Sequence, residues 1–299
     1  MQAVVLVLSL SAVASAQPPR ARPPRFGSRV EVVKLSVLVR GSEGPILGLG
    51  PADFEVRDNG VAQQVERVES EELPLSVILA LDVSGSMKGE TLVEVKRAAH
   101  GLVEGLHPGD RGGLVTLAST LSLQPALGGD FGAIHARIDA LEAEGGTSLM
   151  DGAFAAVALG DAAAGHVLAM VFTDGHENAS WLREDDVLDA ARRGEVVVYG
   201  VRIGGDGWGL CMGDGGVPVR DASAFLDLVT SATGGRLVKA ASPERLRQAF
   251  LEILTEFRTR YLLRYTPRGV ERPGWHRLEV RVKGRAAKVT VRKGYLRTP

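Results

Sequence analysis

In the stretch "VILALDVSGSMKGE", residues 77–90, an apolar run stops at Asp82 and two serines follow at intervals of two, Ser84 and Ser86. Residues two apart in an extended loop point the same way, so three oxygen-bearing side chains face one point. Two further oxygen groups occupy comparable places: Thr147 behind two glycines in "EGGTSLMDG", and Asp174 at the end of the run "HVLAMVFTD". Five oxygens without imidazole or thiol make a hard donor set, suited to Mg²⁺, Mn²⁺ or Ca²⁺ rather than zinc or copper. Five protein oxygens with one position left open favour the octahedral ion, Mg²⁺.

Such a site needs strands whose carboxyl ends lie side by side. "LSVILALD", "GLVTLA", "HVLAMVFTD" and "VVVYGVRI" are nearly continuous apolar runs, the pattern of parallel strands covered on both faces. Between them, Leu92, Val95, Ala99, Leu102, Val103 and Leu106 recur at helical spacing, as do Phe131, Ile134, Ile138 and Leu141. Strands alternating with helices predict an α/β fold, a doubly wound parallel sheet whose ligands bind at the carboxyl ends of the strands. A last helix is expected from about Pro243 through Phe257.

Asp82-x-Ser84-x-Ser86, then Thr147, then Asp174 in "TDG" resembles the metal-ion-dependent adhesion site (MIDAS) of the von Willebrand factor type A (VWA) domain, over residues 74–257. The resemblance implies a Rossmann-like domain with a six-stranded, parallel-dominated sheet. It further implies Ser84, Ser86 and Thr147 as hydroxyl ligands, with Asp82 and Asp174 acting directly or through water. In that family a partner protein supplies a Glu or Asp carboxylate to the metal. Gly146, His176 and Trp208 are candidate ligand contacts beside the metal residues. The flanks, "VEVVKLSVLVRGSEGPILGLGPADFEVRDNGVAQQV" and "YLLRYTP…GWHRLEVRVKG…VTVRKGYL", resemble the VWFA-related domain family common in acidobacteria.

Read from their residues alone, the flanks are β-rich. Asp58-Asn59-Gly60 between two alternating runs is a hairpin signal. Residues 29–73 and 258–299 offer about six strands, and since an isolated hairpin is marginal in water, they are expected to pair into one small β-sandwich-like domain with residues 74–257 inserted between. Residues 258–299 carry 13 Lys and Arg against 2 Asp and Glu, whereas residues 74–257 carry 14 against 25. A basic face can serve an anionic surface; a solvated sheet face or an attraction between the two parts is the simpler reading.

At the other end, "MQAVVLVLSLSAVASA", residues 1–16, ends in a small-x-small pattern and reads as a cleaved export signal, with a short membrane anchor as the alternative because no Lys or Arg precedes it. Gln17 in place of Cys speaks against a lipid anchor, and residues 17–28 read as a Pro/Arg-rich linker. The expected location is periplasmic or extracellular. The one cysteine, Cys211, excludes an internal disulfide, and the net charge of -1 gives no bias toward nucleic acid. The long glycine-rich loop 204–221 is expected on the metal side, with Trp208 as a partner contact or a core pin.

Enzymatic readings are weak. Gly-x-Ser-x-Gly is absent around Ser84 and Ser86, and Gly85 sits three before Lys88 where Ser-x-x-Lys needs a serine. The expected function is therefore non-enzymatic binding or adhesion through a divalent cation. The alternatives are a scaffold whose metal is structural only and, behind it, a metal-dependent hydrolase. The sequence names neither the partner nor the oligomeric state.

Overall fold

The computed structural model describes residues 32–70, 73–123, 127–163, 165–203 and 220–297. The expected export signal, the linker, Trp208 and Cys211 lie outside the described residues.

The described chain opens with β1 (Val33–Arg40), β2 (Phe54–Asp58), β3 (Val61–Gln63) and β4 (Arg67–Glu69). An α/β region follows: β5 (Leu75–Asp82), α1 (Glu90–Glu104), β6 (Arg111–Leu117), β7 (Leu121–Leu123), α2 (Phe131–Asp139), α3 (Leu149–Asp161) and β8 (His166–Thr173). It continues through β9 (His176–Glu177), α4 (Glu184–Arg193), β10 (Val197–Ile203), β11 (Arg220–Asp221), α5 (Ser223–Thr233), β12 (Leu237–Ala240) and α6 (Leu246–Arg258). The last helix thus starts later than Pro243, because Pro243–Arg245 forms a separate 3₁₀ turn ahead of it. The chain then returns to strands: β13 (Tyr261–Tyr265), β14 (Gly274–Val282), β15 (Lys288–Thr290) and β16 (Gly294–Arg297).

Six strands form the central sheet in the order β12-β10-β8-β5-β6-β7, parallel except for the antiparallel edge strand β7. Every residue of β5 and of β8 is buried, which is why both read as unbroken apolar runs. The pleat sends Leu75, Val77, Leu79 and Leu81 to one face, against α1, α2 and α6. Ile78 and Ala80 go to the other, against α3, α4 and α5. Full burial of each such aliphatic side chain is worth about 1.5–3 kcal/mol. This is the doubly wound α/β arrangement, with β5 in the middle and its two neighbours reached by helices on opposite faces.

The flanking segments form two four-stranded sheets, β15-β1-β13-β4 and β16-β14-β2-β3. That is eight strands where the sequence suggested about six; β4 and β15, three residues each, are too short to show a period. Each sheet mixes both flanks: β1 lies between β13 and β15, and β2 pairs with β14. Leu35, Val37, Phe54, Val56, Leu263 and Val280 share one apolar cluster between the two sheets. Inside it the fully buried Asp58 accepts hydrogen bonds from the hydroxyls of Tyr265 (2.8 Å) and Tyr295 (2.9 Å) and lies 2.8 Å from His276 Nδ1.

Two buried arginines fasten this part to the α/β region. Arg260 donates to Tyr199 Oη (3.0 Å), Ser36 Oγ (2.9 Å) and the carbonyl of Gly234 (2.8 Å). Arg292 donates to the carbonyls of Gly194 and Arg192, both at 2.6 Å, and so satisfies the carboxyl end of α4.

Candidate metal centre

Strands β5 and β8 are neighbours in register, Leu81 opposite Phe172, so their carboxyl ends deliver Asp82 and Asp174 to adjacent places. The helix after β5 covers one face and the helix before β8 covers the other. The crevice between these strand ends is therefore the switch point at which open α/β sheets bind ligands.

Asp82 is fully buried; its Oδ1 accepts the backbone N–H of Ser84 at 2.9 Å, which curls the loop back over the strand end. Ser84 Oγ lies 3.1 Å from Ser86 Oγ, and Ser86 hydrogen-bonds the Asp174 carboxylate. Four of the five oxygen-bearing residues are thus joined by direct contacts. The fifth, Thr147, comes in through the backbone: Gly85 N donates to Gly145 O at 2.9 Å, drawing the two loops together. A Cβ on Gly85 would stand 3.2 Å from that same carbonyl oxygen, so the approach depends on glycine. Gly146, half-buried, hangs on the same loop by its N–H to Ser119 Oγ (2.7 Å).

The electrostatics are those of a place made for positive charge. Burial, and then the neighbouring charge of Asp174, push the Asp82 carboxyl up to about 7 despite hydrogen bonds from Ser84 and Thr173. Burial also works against the Asp174 carboxylate, but hydrogen bonds from His176 and Ser86 outweigh it and hold its pKa below the ordinary value. His176 Nδ1 lies 3.3 Å from Asp174, and that hydrogen bond raises the imidazole's pKa. His176 is therefore a partner of Asp174 rather than a free base. Two carboxylates within one desolvated crevice, lined by neutral hydroxyls, fit a hard divalent cation. Among the described residues no three His, Cys, Asp or Glu side chains converge as a metal group, so the hydroxyls are needed to complete any donor set here.

Several residues of this centre escape a reading of the sequence. Thr173 Oγ1 donates to Asp82 Oδ2 at 2.7 Å and accepts from Gly175 N at 3.0 Å. Glu177, buried, accepts from Leu149 N (2.8 Å) and Met150 N (3.2 Å), closing the amino end of α3 just beyond Thr147. Asn178 Oδ1 accepts Thr147 N at 2.8 Å, and Thr147 O accepts Asn178 N and Ala179 N. The same loop presents Trp181 at 93% exposure, while its backbone is pinned by Asp151, which accepts Trp181 N and Leu182 N. The one available signal was "TDGHENASWLRED", where polar residues able to bind backbone follow the Asp174 turn. A cleft of about 810 Å³ along α6 is lined by Arg40, Arg236 and Glu256 among others, and by none of the five oxygen-bearing residues.

Residues 76–212 match the family model for the von Willebrand factor type A domain, and this part of the chain is a VWA domain with the Rossmann-like α/β fold. An uncharacterized protein of Synechocystis is 38% identical over 82 residues, which are 27% of this chain and 20% of that protein. The chain thus spans about a fifth of that relative's length. Among solved structures, a von Willebrand factor type A protein from Catenulispora acidiphila superposes with a TM-score of 0.53 at 14% identity, over 91% of this chain and 75% of that one. Proximal thread matrix protein 1 from the mussel byssus, with a zinc-occupied MIDAS motif, gives 0.51 at 16% identity, over 65% and 48%. At these identities the structures show a common fold. Among the described residues no helix is long and apolar enough to cross a membrane.

Proposed function

We propose that this chain is an exported, non-enzymatic binding protein whose VWA domain engages a protein partner through a divalent cation. Asp82, Ser84, Ser86, Thr147 and Asp174 would hold the ion, with Mg²⁺ the favoured species and Mn²⁺ or Ca²⁺ also suited. The observation that carries the reading is the meeting of Asp82, Ser84, Ser86 and Asp174 at the carboxyl ends of β5 and β8. When bound, the ion supplies a concentrated positive charge that neutral hydroxyls leave largely uncancelled, which suits a Glu or Asp carboxylate from a partner. The zinc-occupied MIDAS of the mussel protein supports the ion-binding half of this reading by analogy of fold.

A metal that only ties loops together is the rival reading. Two features favour the binding role. Ser86 is exposed, so the donor cluster opens to solvent. The loop after β9, whose Asn178 accepts Thr147 N, displays Trp181 on a fastened backbone, the form of a preorganised contact.

The test is calorimetric titration of Mg²⁺ into metal-free protein, alongside Asp174→Ala. Saturable binding in the parent and none in the variant is the expected result. Equal heats in both would remove these residues from the metal and overturn the proposal.

A further inference from the structure

Outside the VWA crevice, one cluster of side chains has the makings of a different site. His100 on α1 and His135 on α2 bring their Nδ1 atoms to 2.6 Å. Their ring centroids are 4.8 Å apart with planes inclined by only 16°. With the nitrogens this close and the centroids this far apart, the rings meet edge to edge, nitrogen against nitrogen. On its other side His100 Nε2 lies 2.8 Å from Asp139 Oδ1.

In the neutral tautomer that donates from Nε2 to Asp139, His100 Nδ1 is left as a bare lone pair. It points at His135 Nδ1, which is either an N–H donor or, in the other tautomer, a second lone pair. The second state presents two imidazole nitrogens to one point, with a carboxylate orienting the first ring from behind. Metal-ligating histidines are oriented in this way.

We propose that His100 and His135 form a second metal site, for an imidazole-preferring divalent ion such as Zn²⁺ or Cu²⁺, with Asp139 as its positioning residue. Imidazole donors select these ions over Mg²⁺, so the site differs in chemistry from the oxygen-lined crevice. Entry of the ion requires His135 to carry its proton on Nε2; nothing else is transferred. With metal–nitrogen bonds of about 2.0–2.1 Å, a tetrahedral ion needs the two nitrogens about 3.3 Å apart and both head-on rings tilted so that their lone pairs converge on it. This opening of about 0.7 Å and the accompanying tilt fall to α2, a nine-residue helix that buries only Ile134 and Ile138. No third His, Cys, Asp or Glu joins the pair among the described residues, so solvent completes the coordination.

The crevice also contains donors that Zn²⁺ can use, so the test is made in the Asp174→Ala background on the whole chain. Zn²⁺ titration of Asp174→Ala should show one saturable site. Adding His135→Gln should weaken it at least tenfold, and adding Asp139→Asn should weaken it by about tenfold. Cu²⁺ bound to Asp174→Ala should give an electron paramagnetic resonance spectrum with hyperfine structure from two imidazole nitrogens, a readout that does not depend on the folding of any second variant. Absence of saturable Zn²⁺ binding in Asp174→Ala, affinity unchanged by His135→Gln, or a copper spectrum without nitrogen coupling would each overturn the proposal.

Discussion

Thr173 Oγ1 donates a 2.7 Å hydrogen bond to Asp82 Oδ2, across the junction of the two central strands. With Ser84 N on the other oxygen, the Asp82 carboxylate is fixed at both ends. Thr173 therefore sets where one of the proposed metal residues points. In Thr173→Val the shape is kept, but Asp82 and Gly175 N each lose a partner, a cost of about 1–3 kcal/mol for buried groups left unsatisfied. Mg²⁺ affinity should fall by about tenfold, the lower end for loss of an orienting contact. Calorimetry and thermal melts on one preparation measure both effects.

Gly145 has φ +71, and a Cβ there would stand 2.5 Å from Ser119 Oγ, the acceptor of Gly146 N. Gly145→Ala should cost about 1–2 kcal/mol for the left-handed backbone alone. It should also displace the loop leading to Thr147, so Mg²⁺ binding should weaken by more than the melting temperature alone would suggest. Retention of full Mg²⁺ affinity would show that the loop tolerates the shift.

Trp181 predicts the reverse pattern. At 93% exposure its side chain supports no core, so Trp181→Ala should leave stability within about 0.5 kcal/mol and Mg²⁺ affinity unchanged. A fall of several degrees in melting temperature would instead make it a structural residue.

Arg260 is 1% exposed and joins Ser36, Tyr199 and Gly234. Arg260→Met removes the donor from all three at once and leaves buried neutral acceptors behind, for an expected loss of about 1–3 kcal/mol for each acceptor left unsatisfied. Chemical denaturation should show the lower midpoint. If the flanking sheets were only loosely attached, the midpoint would barely move.

His166 gives a pH dependence. Burial, and then the charge of Arg260, depress its pKa to about 3. The unfolded chain takes up this proton below about 6.5 while the folded chain refuses it, so the contribution of His166 to stability falls as pH drops from about 6.5 toward 3. Between pH 6.5 and 5 that amounts to about 2 kcal/mol. His166 Nε2 lies 2.8 Å from Ser36 Oγ; His166→Gln removes the titration, and the difference in unfolding free energy between parent and variant should shrink by that amount across the window. A constant difference would mean that His166 is protonated in the fold.

The oxygen-bearing residues that meet at the ends of β5 and β8 were legible because their spacing is local: Asp82, Ser84 and Ser86 lie within five residues, and Asp174 closes an apolar run that reads as a buried strand. Thr173 was not, because its role exists only once β8 lies beside β5. Glu177 and Asn178 were missed for a similar reason; they serve the amino end of a helix 28 and 31 positions earlier. The hairpin at Asn59 and Gly60 could be read from its turn residues, whereas the placing of β1 between β13 and β15 depends on partners far along the chain, which no local pattern encodes. Trp208 drew attention as the tryptophan of a long loop; Trp181, in a short one, is the more exposed of the two tryptophans among the described residues.

The interleaved flanks also impose a schedule on assembly. Ser36 and Arg260 meet across 224 positions, and among the described strands β1 pairs only with β13 and β15, both far along the chain. At synthesis rates of about 5–20 residues per second, that is a delay of about 10–45 s during which Leu35 and Val37 have no core to enter. Throughout that interval the first strands are sticky edges in search of a partner, and a chaperone that shields them would act on residues 33–63 before it acted on anything else.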